Sequence, residues 1–142
     1  MPALSRLNRF ALERRFVALL LVPVLLTGGC RQVKSEGSYD LTPDVIKSAD
    51  LPPAKSLTIE FETTDNVPIT AALVRTSDAD LALKAVESGK SPEQAVAAAK
   101  SAAMQEGTRG KLTTPNSQEK TKWSVLVYSK KPTRVTIRTQ GK

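Results

Sequence analysis

Between Ser56 and Thr64 the chain reads SLTIEFETT, with Leu57, Ile59, Phe61 and Thr63 alternating with Thr58, Glu60, Glu62 and Thr64. A period of two puts each set on one face of a strand, so this strand has a dry face that a second apolar layer must cover. The turn residues TDN follow, and then VPITAALVR, Val67 to Arg75, reads as a second β-run. Near the C-terminus KWSVLVYS and TRVTIRTQ flank KKP in the same way, with Trp123, Val125 and Val127 on one face and Val135 and Ile137 on one face of the neighbour. The economical expectation is two antiparallel hairpins.

Between these pairs the pattern turns helical. SDADLALKAVESGK opens with Ser77 and Asp80 in capping-box spacing and closes on Gly89, while SPEQAVAAAKSAAMQEG opens with Ser91, Pro92 and Gln94 and closes on Gly107. Residues 77–106 are therefore expected to be helical. Alanine gives the second segment high helix propensity but little area to bury, so these helices are expected to cover a sheet and not to build the main core.

Two architectures fit this order. One is a small antiparallel β-sandwich, mainly β, carrying a two-helix insertion; the other is an α+β open antiparallel sheet with both helices on one face. The two β-rich runs together resemble the small accessory β-sandwiches of secreted bacterial proteins, which favours the sandwich. That resemblance carries no site residues with it.

The first 29 residues read as a targeting segment. Arg6, Arg9, Arg14 and Arg15 stand against Glu13 alone, and the apolar run Phe16 to Leu26, interrupted by Pro23, follows at once. A basic start and about 11 apolar residues suit a secretory signal, whereas a membrane span needs about 20. The run ends in LTGGC, Leu26 to Cys30, where Gly28 and Gly29 precede the chain's one cysteine. This resembles the lipobox of bacterial lipoproteins, with Thr27 where that family usually has Leu. The resemblance implies a diacylglyceryl thioether on Cys30, cleavage after Gly29, and a protein tethered to the cell membrane or outer membrane and facing the periplasm. Arg31 in place of the family's retention Asp points toward the outer membrane of a diderm source. A lone cysteine has no partner within the chain, and a lipid-bonded sulfur needs none.

Residues 30–55 contain Pro43, Pro52 and Pro53 with much Ser and charge, which reads as a linker after the lipidated cysteine. SYDL and DVIKSADL remain open as an edge strand within it. Residues 56–142 are then the β-rich domain.

Charge divides along the chain. From Gly107 to Lys142 nine Lys and Arg face one acid, and from Glu36 to Glu106 six face twelve. Cross-strand pairing of Glu60 and Glu62 with Arg134 and Arg138 would absorb part of this. The sharper expectation is that Lys120, Lys122, Lys130, Lys131, Arg134 and Arg138 contact an anionic envelope surface or an envelope protein. Nucleic acid is not an expected partner, because export leads away from it and no aromatic platform accompanies the cations.

No catalytic constellation assembles. The chain has no histidine to activate its serines. Glu60 and Glu62 lie side by side on a wet face, and Ser129–Lys130 falls at an expected turn. Asp78, Asp80 and Glu87 lack the spacing of a calcium loop, and GTRGKLTTP lacks the glycine and the hydroxyl residue of a phosphate loop. No cofactor is expected. The reading is a non-enzymatic, lipid-anchored envelope module; the alternative is a small periplasmic enzyme or enzyme inhibitor acting through a loop such as Thr63–Val67.

Overall fold

A computed structural model describes residues 32–116 and 121–141. The expected leader at 1–29, Cys30 and Lys120 lie outside the described residues. The elements are β1 (Val33–Leu41), β2 (Lys47–Asp50), β3 (Leu57–Thr63), β4 (Ile69–Arg75), α1 (Thr76–Glu87), α2 (Pro92–Ala98), β5 (Ala103–Gly107), β6 (Arg109–Thr113), β7 (Trp123–Ser129) and β8 (Thr133–Gly141). They form a small β-sandwich of two four-stranded antiparallel sheets with a helical insertion between β4 and β5.

The first sheet has the order β1-β8-β3-β6 and the second β2-β7-β4-β5. Matching positions in the two sheets are consecutive in sequence: β1 with β2, β7 with β8, β3 with β4, β5 with β6. The sandwich is thus four β-arches side by side, each strand bending across the core into the opposite sheet. Both expected hairpins are corrected by this arrangement: β3 pairs with β6 and β8, and β7 with β2 and β4. The cause lies in the dry faces. Leu57, Ile59 and Phe61 on β3 must meet Ile69, Ala71 and Leu73 on β4 across the core, and an arch brings them face to face where a hairpin would set them side by side.

The bends are stitched to one another. Thr64 N donates to Arg134 O at 3.1 Å, and Thr133 Oγ1 donates to Asp65 Oδ1 between two neighbouring arches. Asn66 takes the left-handed conformation there, with φ 56°. All four bends lie at one end of the sandwich, the arch end. At the other, the root end, lie the β2–β3 and β6–β7 crossings, the start of α1, and the register pair Val33 and Gly141.

Two hydrophobic clusters result. The inter-sheet core gathers Leu41, Leu57, Ile59, Phe61, Leu112, Val135 and Ile137 from one sheet and Ile69, Leu73, Trp123, Val125 and Val127 from the other. A second cluster sets Ala72, Val74, Leu126 and Tyr128, on the far face of the second sheet, against Ala79, Ala82, Ala95 and Val96 of the helices. Strands β4 and β7 are consequently covered on both faces, which is why ITAALVR and WSVLVYS read as nearly continuous apolar runs while β3 and β8 alternate.

Within the residues expected as a linker, Val33–Leu41 and Lys47–Asp50 are strand, the edge pairing left open for SYDL and DVIKSADL. β1 pairs with β8 over its nine residues and β2 with β7 over four, both at sheet edges. Edge position explains their composition, since one side of an edge strand faces water and tolerates Ser, Gly and charge. The β-sandwich therefore includes Val33–Leu41 and Lys47–Asp50, ahead of Ser56.

The helical segment is also shorter than expected. α1 starts at Thr76 straight out of β4, with Arg75 as N-cap and no side-chain cap, so the Ser77–Asp80 box does not form. Its end matches expectation: Lys90 N donates to Ala85 O and Gly89 N to Val86 O, with Gly89 at φ 94°. In α2 the Ser91–Gln94 capping box forms with Pro92 in the first turn. The helix stops at Ala98, however, and Ala103–Gly107 becomes β5, paired with Leu73 to Ile69. Alanine-rich propensity gives way because β4 would otherwise present an unpaired edge, and ladder hydrogen bonds outweigh the few tenths of a kcal/mol per residue that propensity supplies.

Candidate functional site

The broadest chemically active surface is the outer face of the first sheet. Alternation sends Lys34, Glu36, Ser38 and Asp40 outward from β1, Arg134, Thr136, Arg138 and Gln140 from β8, Thr58, Glu60 and Glu62 from β3, and Arg109 and Lys111 from β6. Register then aligns them in rows. One row runs Glu36, Arg138, Glu60, Lys111, alternating in sign across all four strands. The next runs Ser38, Thr136, Glu62, Arg109.

Ion pairs follow the rows. Arg138 Nε lies 2.9 Å from Glu36 Oε2 and its Nη1 3.9 Å from Glu62 Oε2; Arg109 reaches Glu62 at 3.2 Å and Lys111 reaches Glu60 at 3.8 Å. Arg134 grips Asp40 with Nε at 2.6 Å and Nη2 at 3.2 Å. That hydrogen bond, with the arginine's charge, holds the Asp40 carboxyl below its ordinary pKa against a smaller opposing effect of burial. Glu36 raises Arg138 and Asp40 raises Arg134 in the same way.

Two shallow hollows of about 420 and 390 Å³ lie along this face, the first between Lys34, Glu36, Glu60 and Arg138, the second between Glu62, Arg109, Lys111 and Thr136. Their carboxylates are exposed, and Glu60 and Glu62 are each within 4 Å of a cation. Such a face suits weak polar contact and solubility.

Of the six cations expected to form one contact surface, the five among the described residues are spread over three places. Arg134 and Arg138 lie on the outer sheet face and are matched by acids. Lys130 and Lys131 lie at the arch end, where Lys130 Nζ sits 2.8 Å from Glu93 Oε1 and its pKa is raised by that hydrogen bond. Lys122 lies at the root end, at the start of β7. Lys120 is outside the described residues. The expected pairing was half legible: Glu60 does face Arg138, while Arg134 faces Asp40 on β1, a strand that polar composition concealed.

The Thr63–Val67 loop forms part of the arch end. Beside it a hollow of about 270 Å³ is lined by Asn66, Val67, Tyr128, Ser129, Lys130 and Glu106. Among the described residues, no three acidic, cysteine or histidine side chains gather closely enough to hold a metal ion, and no helix is long and apolar enough to cross a membrane. Asp78, Asp80 and Glu87 are spread along α1 over more than two turns.

Ser124, fully buried in β7, is a structural polar site that sequence pattern did not single out. Its Oγ donates to Asp50 Oδ1 at 2.8 Å and lies 3.0 Å from Thr76 Oγ1, while Thr76 N donates to Lys122 O at 3.1 Å. These bonds tie β2, β7 and the start of α1 together at the root end.

No protein-family model matches the chain, and no curated protein matches it either.

Proposed function

We propose that this chain is an exported, lipid-anchored protein of the cell envelope, and that its sandwich is a non-catalytic structural or interaction module held at the membrane through Cys30. The observation that carries the reading is the order basic stretch, short apolar run, LTGGC, followed by a β-sandwich whose first strand starts three residues after the cysteine. A diacylglyceryl group contributes about 0.8 kcal/mol per buried methylene, and two chains together anchor durably. The partner is the membrane itself, with an envelope protein or an anionic envelope surface as the further contact.

Mass spectrometry of the membrane fraction from the native host tests this. The expected product begins at Cys30 and carries acyl mass, and Cys30→Ser should release the protein from membranes. An unmodified secreted form, or one retaining Met1, would refute the anchor. The second reading, a small periplasmic enzyme or inhibitor acting through Thr63–Val67, is favoured by the hollow beside Asn66 and Val67. It predicts that substitutions in that loop abolish an activity without changing stability.

A further inference from the structure

The root end carries Lys34 at the start of β1, Lys55 in the β2–β3 crossing, Arg75 at the end of β4, Lys100 before β5 and Lys122 before β7. All five are exposed, and none takes part in an ion pair among the described residues; toward the arch end Lys130, Arg109 and Arg134 each have an acid within 4 Å, while Lys47 and Lys131 have none. Among the described residues the acids at the root end are Asp50, Asp78 and Asp80, and Asp50 is already engaged by Ser124 Oγ. Topology brings these cations together from five separate segments. In sequence they are scattered from 34 to 122.

We propose that the root end is a membrane-contacting surface that rests on anionic lipid headgroups through Lys34, Lys55, Arg75, Lys100 and Lys122. The inference builds on the lipid-anchored reading, because an anchor at Cys30 decides which end faces the bilayer. Three residue steps separate Cys30 from Val33, and a fully extended chain covers about 3.5 Å per step, so Val33, at the root end, lies within about 10 Å of the Cys30 backbone. That is close to the Debye length of about 8 Å at physiological ionic strength. The arch end lies farther off by the length of β8, about 30 Å for its nine residues, where the surface potential of a bilayer is screened away. Distance therefore favours the root-end cations over Lys130 and Lys131 as headgroup contacts.

The test uses residues 30–142 carrying Cys30→Ser, a chain that holds both sheets, both helices and both hydrophobic clusters. Its partition onto phosphatidylcholine vesicles with and without phosphatidylglycerol is measured by sedimentation at low and physiological salt. The expected result is preference for the anionic vesicles that weakens with salt. Lys34→Gln and Lys122→Gln should each lower partition about fivefold, and all five neutralisations together should abolish it. Lys130→Gln with Lys131→Gln should leave it unchanged. Equal binding to both vesicle types, or equal loss from the arch-end pair, would overturn the proposal. Capture by soluble polyphosphate without vesicle binding would overturn it in favour of an anionic polymer. This chain bears no acyl group, so its partition reports on the surface of the folded domain, while the mass of the N-terminal peptide reports on the anchor alone.

Discussion

Replacing Gly110 by alanine separates two opposite expectations. Gly110 on β6 stands opposite Phe61 on β3. A Cβ at that position would lie 2.5 Å from Phe61 Cζ, 2.6 Å from Phe61 Cε1 and 2.6 Å from Gln105 Oε1. Carbon contacts settle at about 3.5–4.0 Å, so the ring would have to retreat by about 1 Å within a filled inter-sheet core. The displaced Gln105 also accepts from Lys111 N at 2.9 Å, the bond that closes β5 onto β6. Overpacking of this kind costs about 1–3 kcal/mol. Gly110 lies outside the left-handed region, so without the clash the same change would stabilise by about 0.4–1 kcal/mol through the unfolded chain. The net expectation is destabilisation of about 0.5–2.5 kcal/mol, read as a lower urea midpoint followed by Trp123 fluorescence. Adding Phe61→Leu removes the ring atoms, and the double variant should lose less than the sum of the singles by about 1 kcal/mol. An unchanged or raised midpoint for Gly110→Ala, or strict additivity in the double variant, would refute the packing argument.

Other substitutions test the remaining layers. Leu126→Ala empties a fully buried site between the second sheet and the helices and should cost about 2–5 kcal/mol in urea denaturation; a loss under about 1 kcal/mol would mean that the helices are not an integral layer. Ser91→Ala removes one arm of the α2 capping box and should cost about 1 kcal/mol, with faster amide exchange in Pro92–Ala98. Asp40 titrates below its ordinary value, so its ionised bond to Arg134 is intact above the unfolded carboxyl pKa and is lost as pH falls through the lowered folded value. Arg134→Gln should move the Asp40 titration upward, as followed by carboxyl carbon NMR.

Strand identity was legible where one face is dry and the other wet. Leu57, Ile59 and Phe61 announced β3, and Val135 and Ile137 announced β8. Trp123, Val125 and Val127 were placed on one face of β7 correctly, and all three join the inter-sheet core. What periodicity cannot carry is the partner. Alternation fixes which way a side chain points, but the same alternation serves a hairpin and an arch, so β3–β4 and β7–β8 were expected within one sheet and are found across two. Edge strands were hidden for a related reason. VKSEGSYDL buries Leu41 and half-buries Val33, Gly37 and Tyr39, so large apolar residues mark only its two ends.

The candidate contact surface shows the same division. Sequence revealed an excess of cations after Gly107 and drew them into one patch, because neighbours along the chain are all that a linear reading can group. Folding sorts them by register: Arg134, Arg138, Arg109 and Lys111 are matched with Asp40, Glu36, Glu62 and Glu60, while Lys122 joins Lys34, Lys55, Arg75 and Lys100 at the root end. By itself the sequence determined the alternating strands, the caps at Ser91 and Gly89, and the basic-then-apolar composition ahead of Cys30, because each depends on residues close to one another along the chain. Only the tertiary structure decided strand partners, the conversion of Ala103–Gly107 from helix to strand, and which cations find an acid among the described residues, because those depend on which distant segments share an edge or a row.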